Sequence, residues 1–185
     1  MFFKELSEFG HQGVALATTY QPEPQKHPDT SAVLFLDGVE DPHNLGAIVR
    51  TSWLMGVEQI YISDKNSVKM TPTACKVASG GAEHVPVDEV HFLSAMKKLK
   101  DQGYWIYGFS EKAEKTLYQV ELPAKTVLVF GSEEKGIRLP IINECDELLC
   151  IPQIEVQASY NVSVSVAIGL SEFRRQQIVR TAKHS

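Results

Sequence analysis

From residue 29 onward the chain alternates between two hydrophobic rhythms. Short runs rich in β-branched and aromatic residues occupy 32–36, 59–62, 104–109, 126–130 and 147–151, each flanked by Gly, Asp or Pro. That composition and length predict buried strands. Between them, 43–54, 71–78 and 90–102 carry apolar residues at helical spacing. The first of these helices has a start signal, with Asp41 as N-cap and Pro42 at the first helical position. Strands alternating with helices predict an α/β fold, a mostly parallel sheet with helices on both faces.

The last segment supports two readings. Val162, Val164 and Val166 alternate with serines as in a strand, yet Val162, Val166, Leu170 and Phe173 fall at helical steps. The length through Arg180, interrupted only by Gly169, favours a helix.

Ahead of the first strand, 21–28 holds three prolines and no aliphatic residue, the composition of an extended linker. The expected organisation is therefore an amino-terminal remnant and linker over 1–28, then one domain over 29–185.

Composition narrows the class. The chain has 185 residues, 43% hydrophobic and 22% charged, within the range of one globular domain. No stretch is apolar enough to span a bilayer, and the start lacks a signal-peptide layout, so a cytoplasmic location is expected. Three cysteines, Cys75, Cys145 and Cys150, form no C-x-x-C pair and stand apart from any histidine cluster. Neither a disulfide framework nor a metal site is expected, and Cys145 and Cys150 read as small buried hydrophobes. A net charge of −5 is unusual for a nucleic-acid partner. Arg174, Arg175, Arg180 and Lys183 could form a local basic patch, or simply the solvated face of a terminal helix.

Three separated segments carry candidate chemistry: Asp41-Pro42-His43-Asn44-Leu45-Gly46 with Arg50, Phe130-Gly131-Ser132-Glu133-Glu134-Lys135-Gly136, and Ile151-Pro152 followed by Ser159-Tyr160-Asn161-Val162-Ser163. The middle one has the glycine spacing of a phosphate loop, but Ile137-Arg138 stand where Lys-Ser/Thr is required. Gly80-Gly81 lacks the context of a dinucleotide-binding turn. What remains is a glycine directly after a buried strand, where backbone can approach a ligand.

In this order the three segments resemble the signature motifs of the SpoU (TrmH-like) RNA ribose 2′-O-methyltransferases, a branch of the SPOUT superfamily. The resemblance covers about 32–176. It implies a carboxy-terminal trefoil knot beginning after about Val127, which ordinary connection rules would not predict. It also implies S-adenosyl-L-methionine as cofactor, with Gly131, Ile151 and Tyr160 in contact with it, largely through backbone. Tyr160 departs from the family's usual Leu and would reshape the pocket rim.

The resemblance further implies a catalytic set of Asn44, Arg50, Glu133, Ser159 and Asn161, acting on tRNA or rRNA in a homodimer, with no metal and no membrane partner. Asn44 and Arg50 lie six residues apart and would not share a helix face unless Asn44 sits in the entering loop. A guanidinium is almost always protonated, so Arg50 suits a bidentate grip on a phosphate at least as well as removal of the 2′-OH proton. Glu133 could pair with Arg50 or cap the short helix that follows it.

Ser79-Gly80-Gly81-Ala82-Glu83-His84 resembles a family segment between motifs. His11-Gln12-Gly13-Val14-Ala15 resembles the junction to an amino-terminal RNA-binding domain, which suggests a fragment of a longer protein or reliance on partners for RNA. The rival expectation is a catalytically weakened member that binds RNA or cofactor as an accessory module. A base nitrogen as methyl acceptor is a third.

Overall fold

The computed structural model describes residues 22–23, 30–64, 67–155 and 157–182. The expected amino-terminal remnant, most of the linker and Lys183 lie outside the described residues. The elements run β1 (Ser31–Asp37), α1 (Pro42–Leu54), β2 (Gln59–Ser63), α2 (Pro72–Ala78), β3 (Val87–Val90), α3 (Phe92–Asp101), β4 (Trp105–Phe109), β5 (Lys115–Thr116), β6 (Lys125–Gly131), α4 (Leu139–Ile142), β7 (Glu147–Cys150) and α5 (Val162–Ala182).

The seven strands form one sheet in the order β3-β2-β1-β6-β4-β7-β5, and every strand pairing in it is parallel. The interior strand β1 is buried along its whole length, so its side chains feed both faces of the sheet. Ala32, Leu34 and Leu36 join Leu128 and Phe130 of β6 in one core, under Leu45, Ile48 and Val49 of α1 and Val166, Leu170 and Phe173 of α5. Val33 and Phe35 join Val127 and Val129 in a second core, under Phe92, Met96 and Leu99 of α3. Burying each such side chain contributes about 1.5–3 kcal/mol. Helices on both faces follow, as the hydrophobic pattern predicts.

The five expected strands and three expected helices are present within a few residues. One boundary is corrected. Val90, expected to start a helix, ends β3, which pairs with β2, and the helix begins at Phe92. This short edge strand, with exposed Asp88 and Glu89, carries too little apolar periodicity to announce itself. The same holds for the two-residue β5. Asp41 is the N-cap of α1, its Oδ1 accepting from the His43 amide at 2.8 Å. The carboxy-terminal segment is helical from Val162, as favoured.

Neither reading left open for the cations of that helix, a basic patch or a solvated face, describes Arg174. Arg174 is turned inward, where its Nε donates to Met55 O, its Nη2 to Gly56 O at 3.1 Å and its Nη1 to Thr30 Oγ1 at 3.1 Å. It thereby ties α5 to the carbonyl end of α1. Arg175 is paired with Glu172, Nε and Nη2 each lying 2.7 Å from a carboxylate oxygen. Beside them, Gln176 accepts from Leu122 N and donates to Val120 O, strapping α5 to the segment before β6. Two of the three described cations of the run are thus committed to the fold. Cys145 and Cys150 are half-buried free thiols, and burial pushes the Cys145 thiol up to about 12, which keeps it protonated.

Glu172 is itself buried, and the hydrogen bonds from Arg175 hold its carboxyl below the ordinary value of 4.5. A depressed carboxylate contributes stability above its unfolded-state pKa and loses it as pH falls through the folded-state value. Glu172→Gln is therefore expected to lower the urea midpoint at pH 7, with the gap to wild type closing as pH falls below the ordinary value of 4.5. An equal gap at neutral and strongly acid pH would contradict this.

Candidate active site

Parallel strands deliver their carboxyl ends to one edge of the sheet, and ligand clefts of open α/β sheets form there. Here β6 ends at Gly131, opposite Asp37 at the end of β1. Beyond Gly131 the chain doubles back through a tight turn, in which Gly136 N donates to Ser132 O at 2.9 Å and Lys135 N to Ser132 Oγ at 3.2 Å. Gly136 takes a left-handed φ of 66°. The returning chain presses so closely on Gly131 that a Cβ there would lie 2.0 Å from the Gly136 carbonyl carbon and 2.2 Å from Ile137 N. No side chain fits at position 131.

That turn walls a cleft of about 350 Å³, within the range of small-molecule sites. Phe109 and Phe130, stacked 4.3 Å apart, sit where Gly169 of α5 leaves room: a Cβ on Gly169 would meet their rings at 3.2 and 3.1 Å. Ile137 and Ile151 add apolar wall, and Ser110, Glu111 and Lys112 give a polar rim.

The amino termini of α1 and α5 reach the same place. Glu133 Oε1 accepts from Asn161 Nδ2 at 2.8 Å, from Asn44 Nδ2 at 3.3 Å and from the Val162 backbone N at 3.3 Å. Asn161 Nδ2 also donates to Asn44 Oδ1 at 2.9 Å. Asn161 Oδ1 accepts from Ser163 N at 2.9 Å and Ser163 Oγ at 2.6 Å, so Asn161 caps the first turn of α5. A carboxylate at that helix start also meets the positive end of its dipole. One carboxylate oxygen thus joins all three sequence segments.

Of the expected residues, Gly131, Glu133, Ile151, Ser159 and Tyr160 line the cleft. Asn44 and Asn161 are held at its edge through Glu133. The structure decides two points that the sequence left open. Asn44 lies in the first turn of α1, so the entering-loop position that would let it share a face with Arg50 is not taken. Glu133 neither pairs with Arg50 nor caps α4; it serves α5, reached from far along the sequence. Arg50 is exposed on α1 and does not line this chain's cleft; its backbone lies against Gly81, where a Cβ would come within 3.1 Å of it. Gly81 in the 79–84 segment therefore serves close packing. Ser163 and the rim residues Ser110, Glu111 and Lys112 were not in the expected set. The Asn-x-Ser that closes the third segment was the available signal for Ser163.

The chemistry of this lining suits a nucleoside-bearing ligand. It offers an apolar slot for a ring system, backbone groups of a glycine turn for its edges, and hydroxyl and charged side chains at the rim for polar substituents. A parallel α/β domain with such a cleft at the carboxyl edge of its sheet defines a class of ligand-binding folds. Comparison with known proteins gives the family.

Residues 31–171 match the model of the SpoU rRNA Methylase family, and the chain belongs to that family. It is 41% identical over 150 residues to the 23S rRNA (guanosine-2'-O-)-methyltransferase RlmB of Salmonella typhi, covering 80% of this chain and 62% of that protein. Against RlmB of Pseudomonas aeruginosa the identity is 42% over 146 residues, covering 78% and 59%. Among solved structures, the TrmH/SpoU tRNA modifying enzyme of A. aeolicus aligns with a TM-score of 0.74 at 27% identity, over 85% of this chain and 80% of that one. The SpoU methyltransferase AviRb of Streptomyces viridochromogenes, in complex with AdoMet, aligns with a TM-score of 0.77 at 20% identity, over 84% and 61%, and shows the shared fold. The chain spans about three fifths of the length of the RlmB relatives.

Gly131→Ala is expected to destabilise the protein by about 1–3 kcal/mol, the usual cost of forcing atoms into a packed site. Denaturant unfolding checks it, and a stability within error of wild type would show that the turn yields without cost.

Proposed function

We propose that this chain transfers the methyl group of S-adenosyl-L-methionine to a ribose 2′-oxygen of ribosomal or transfer RNA. The observation that carries the reading is the meeting of Asn44, Glu133 and Asn161 beside a cleft whose glycine turn admits no side chain. Membership of the SpoU family supports it, and the RlmB relatives favour rRNA, with a guanosine as acceptor. Within this reading, residues 29–185 are the methyltransferase domain and 1–28 its leading segment. The trefoil knot, a homodimeric state and a cytoplasmic location belong to the same proposal. Among the described residues no helix is long and apolar enough to cross a membrane.

Gly131, Ile151 and Tyr160 would hold the cofactor, which supplies an electrophilic methyl group. Methyl transfer to an alcohol is an in-line displacement, so placing the acceptor oxygen is a large part of the catalysis. Glu133 fixes Asn44 and Asn161 and so sets the edge against which a ribose would rest. Ser159, also on the cleft wall, can bond a phosphate or relay the hydroxyl proton. The position of Arg50, outside its own chain's cleft, supports a site completed across a two-fold axis by the partner subunit's Arg50 gripping the acceptor phosphate.

The test is incubation of the chain with labelled methyl donor and transcripts of 23S rRNA and tRNA. The expected product is an alkali-stable ribose-methylated dinucleotide, and label on a base nitrogen, or none, would overturn the reading. In the same assay Arg50→Ala should abolish transfer while leaving cofactor affinity nearly unchanged, and Arg50→Lys should rescue poorly. Parallel losses of affinity and turnover would show that Arg50 is misassigned.

A further inference from the structure

The loop that shapes the cleft has a second fastening, which no part of the site described so far requires. Asp37 ends β1, and its side chain is only 1% exposed. A carboxylate that far from water needs donors. Arg138, just beyond the cleft turn, supplies three: its backbone N lies 2.9 Å from Oδ2, its Nε 2.8 Å from Oδ1 and its Nη2 2.7 Å from Oδ1. The register of the sheet also sets Asp37 against Gly131. Residue 37 therefore holds both ends of the loop, the first through the β-ladder and the second through its carboxylate.

Between those fixed ends lies everything this segment gives the cleft: Gly131, Glu133 and the wall from Ser132 to Ile137. The bonds of Ser132 to Gly136 and Lys135 shape the turn without attaching it to the sheet. The return at Ile137 also sits so close to Gly131 that a Cβ added there would lie 2.2 Å from the Ile137 N.

We propose that Asp37 and Arg138 are positioning residues that clamp the 131–138 loop to the sheet at the height that admits the cofactor. The proposal rests on the S-adenosylmethionine reading above. The Arg138 side chain is 42% exposed, so it meets solvent on one side and a buried carboxylate on the other. A guanidinium holds such a carboxylate and its own backbone in one fixed geometry, whereas an ammonium supplies the charge without the fork. Deleting the cation leaves the carboxylate buried and uncompensated, a cost to the fold as well as to the loop. Arg138→Lys keeps the charge and so separates the two effects.

The experiment measures S-adenosylhomocysteine affinity by calorimetry, melting temperature, and amide hydrogen exchange at Gly136 without ligand, in wild type, Arg138→Lys and Arg138→Ala. Arg138→Ala should weaken binding on the order of tenfold, with Arg138→Lys between it and wild type, since small displacements cost this much at positioned sites. Gly136 exchange should be faster in both variants, while Arg138→Lys melts near wild type. Wild-type affinity and wild-type exchange in folded Arg138→Lys and Arg138→Ala would overturn the clamp and leave the cofactor reading standing. No binding by wild type would overturn the cofactor reading, and this proposal with it.

Discussion

One carboxylate oxygen organises the site. Glu133 stands at the tip of a glycine turn after β6, and its Oε1 accepts from Asn44 at the start of α1, from Asn161 before α5 and from the first amide of α5. These groups are 89, 28 and 29 residues away along the chain. Bonds to a charged acceptor are about twice as strong as neutral ones, and each here closes a long loop. Without that junction, two helix termini and a glycine turn would meet the cleft with no common register. The same atoms that would orient a ribose in the proposed reaction also cap α5.

The rest of the architecture supports the junction by bringing backbone unusually close. The parallel sheet delivers Asp37 and Gly131 side by side, and the returning turn leaves no room for a Cβ on Gly131. Gly169 lets α5 settle against the stacked Phe109 and Phe130 under the cleft. Arg174 then ties the far part of α5 to the carbonyl end of α1. The two helices whose amino termini meet at Glu133 are thus also linked through α5's later turns, which fixes the angle of their approach.

Much of the fold was legible because β1 and β6 are continuous apolar runs and α1 carries both an Asp N-cap and a Pro. The edge strand β3 was not, because Asp88 and Glu89 break its apolar run and its identity comes from pairing with β2. The residues of the site were legible through their motifs, but the use of Glu133 was not. A carboxylate in a loop can cap the next helix or reach one much later, and only the sheet order decides. Arg174 and Arg175 were ambiguous in sequence. Clustered cations at a helix end resemble a nucleic-acid surface, yet partners remote in sequence, or buried at i−3, absorb them. Asp37 gave no signal at all, since a carboxylate ending an apolar strand looks like an ordinary strand terminator.

The most direct test of the junction is a double-mutant cycle on unfolding free energy between Glu133→Ala and Asn44→Ala, with the matching cycle between Glu133→Ala and Asn161→Ala. A shared node predicts coupling of about 0.5 kcal/mol or more in both cycles, as residues in one hydrogen-bond network show. Simple additivity in both would mean that the three segments are held at the cleft independently, and that Glu133 does not organise the site.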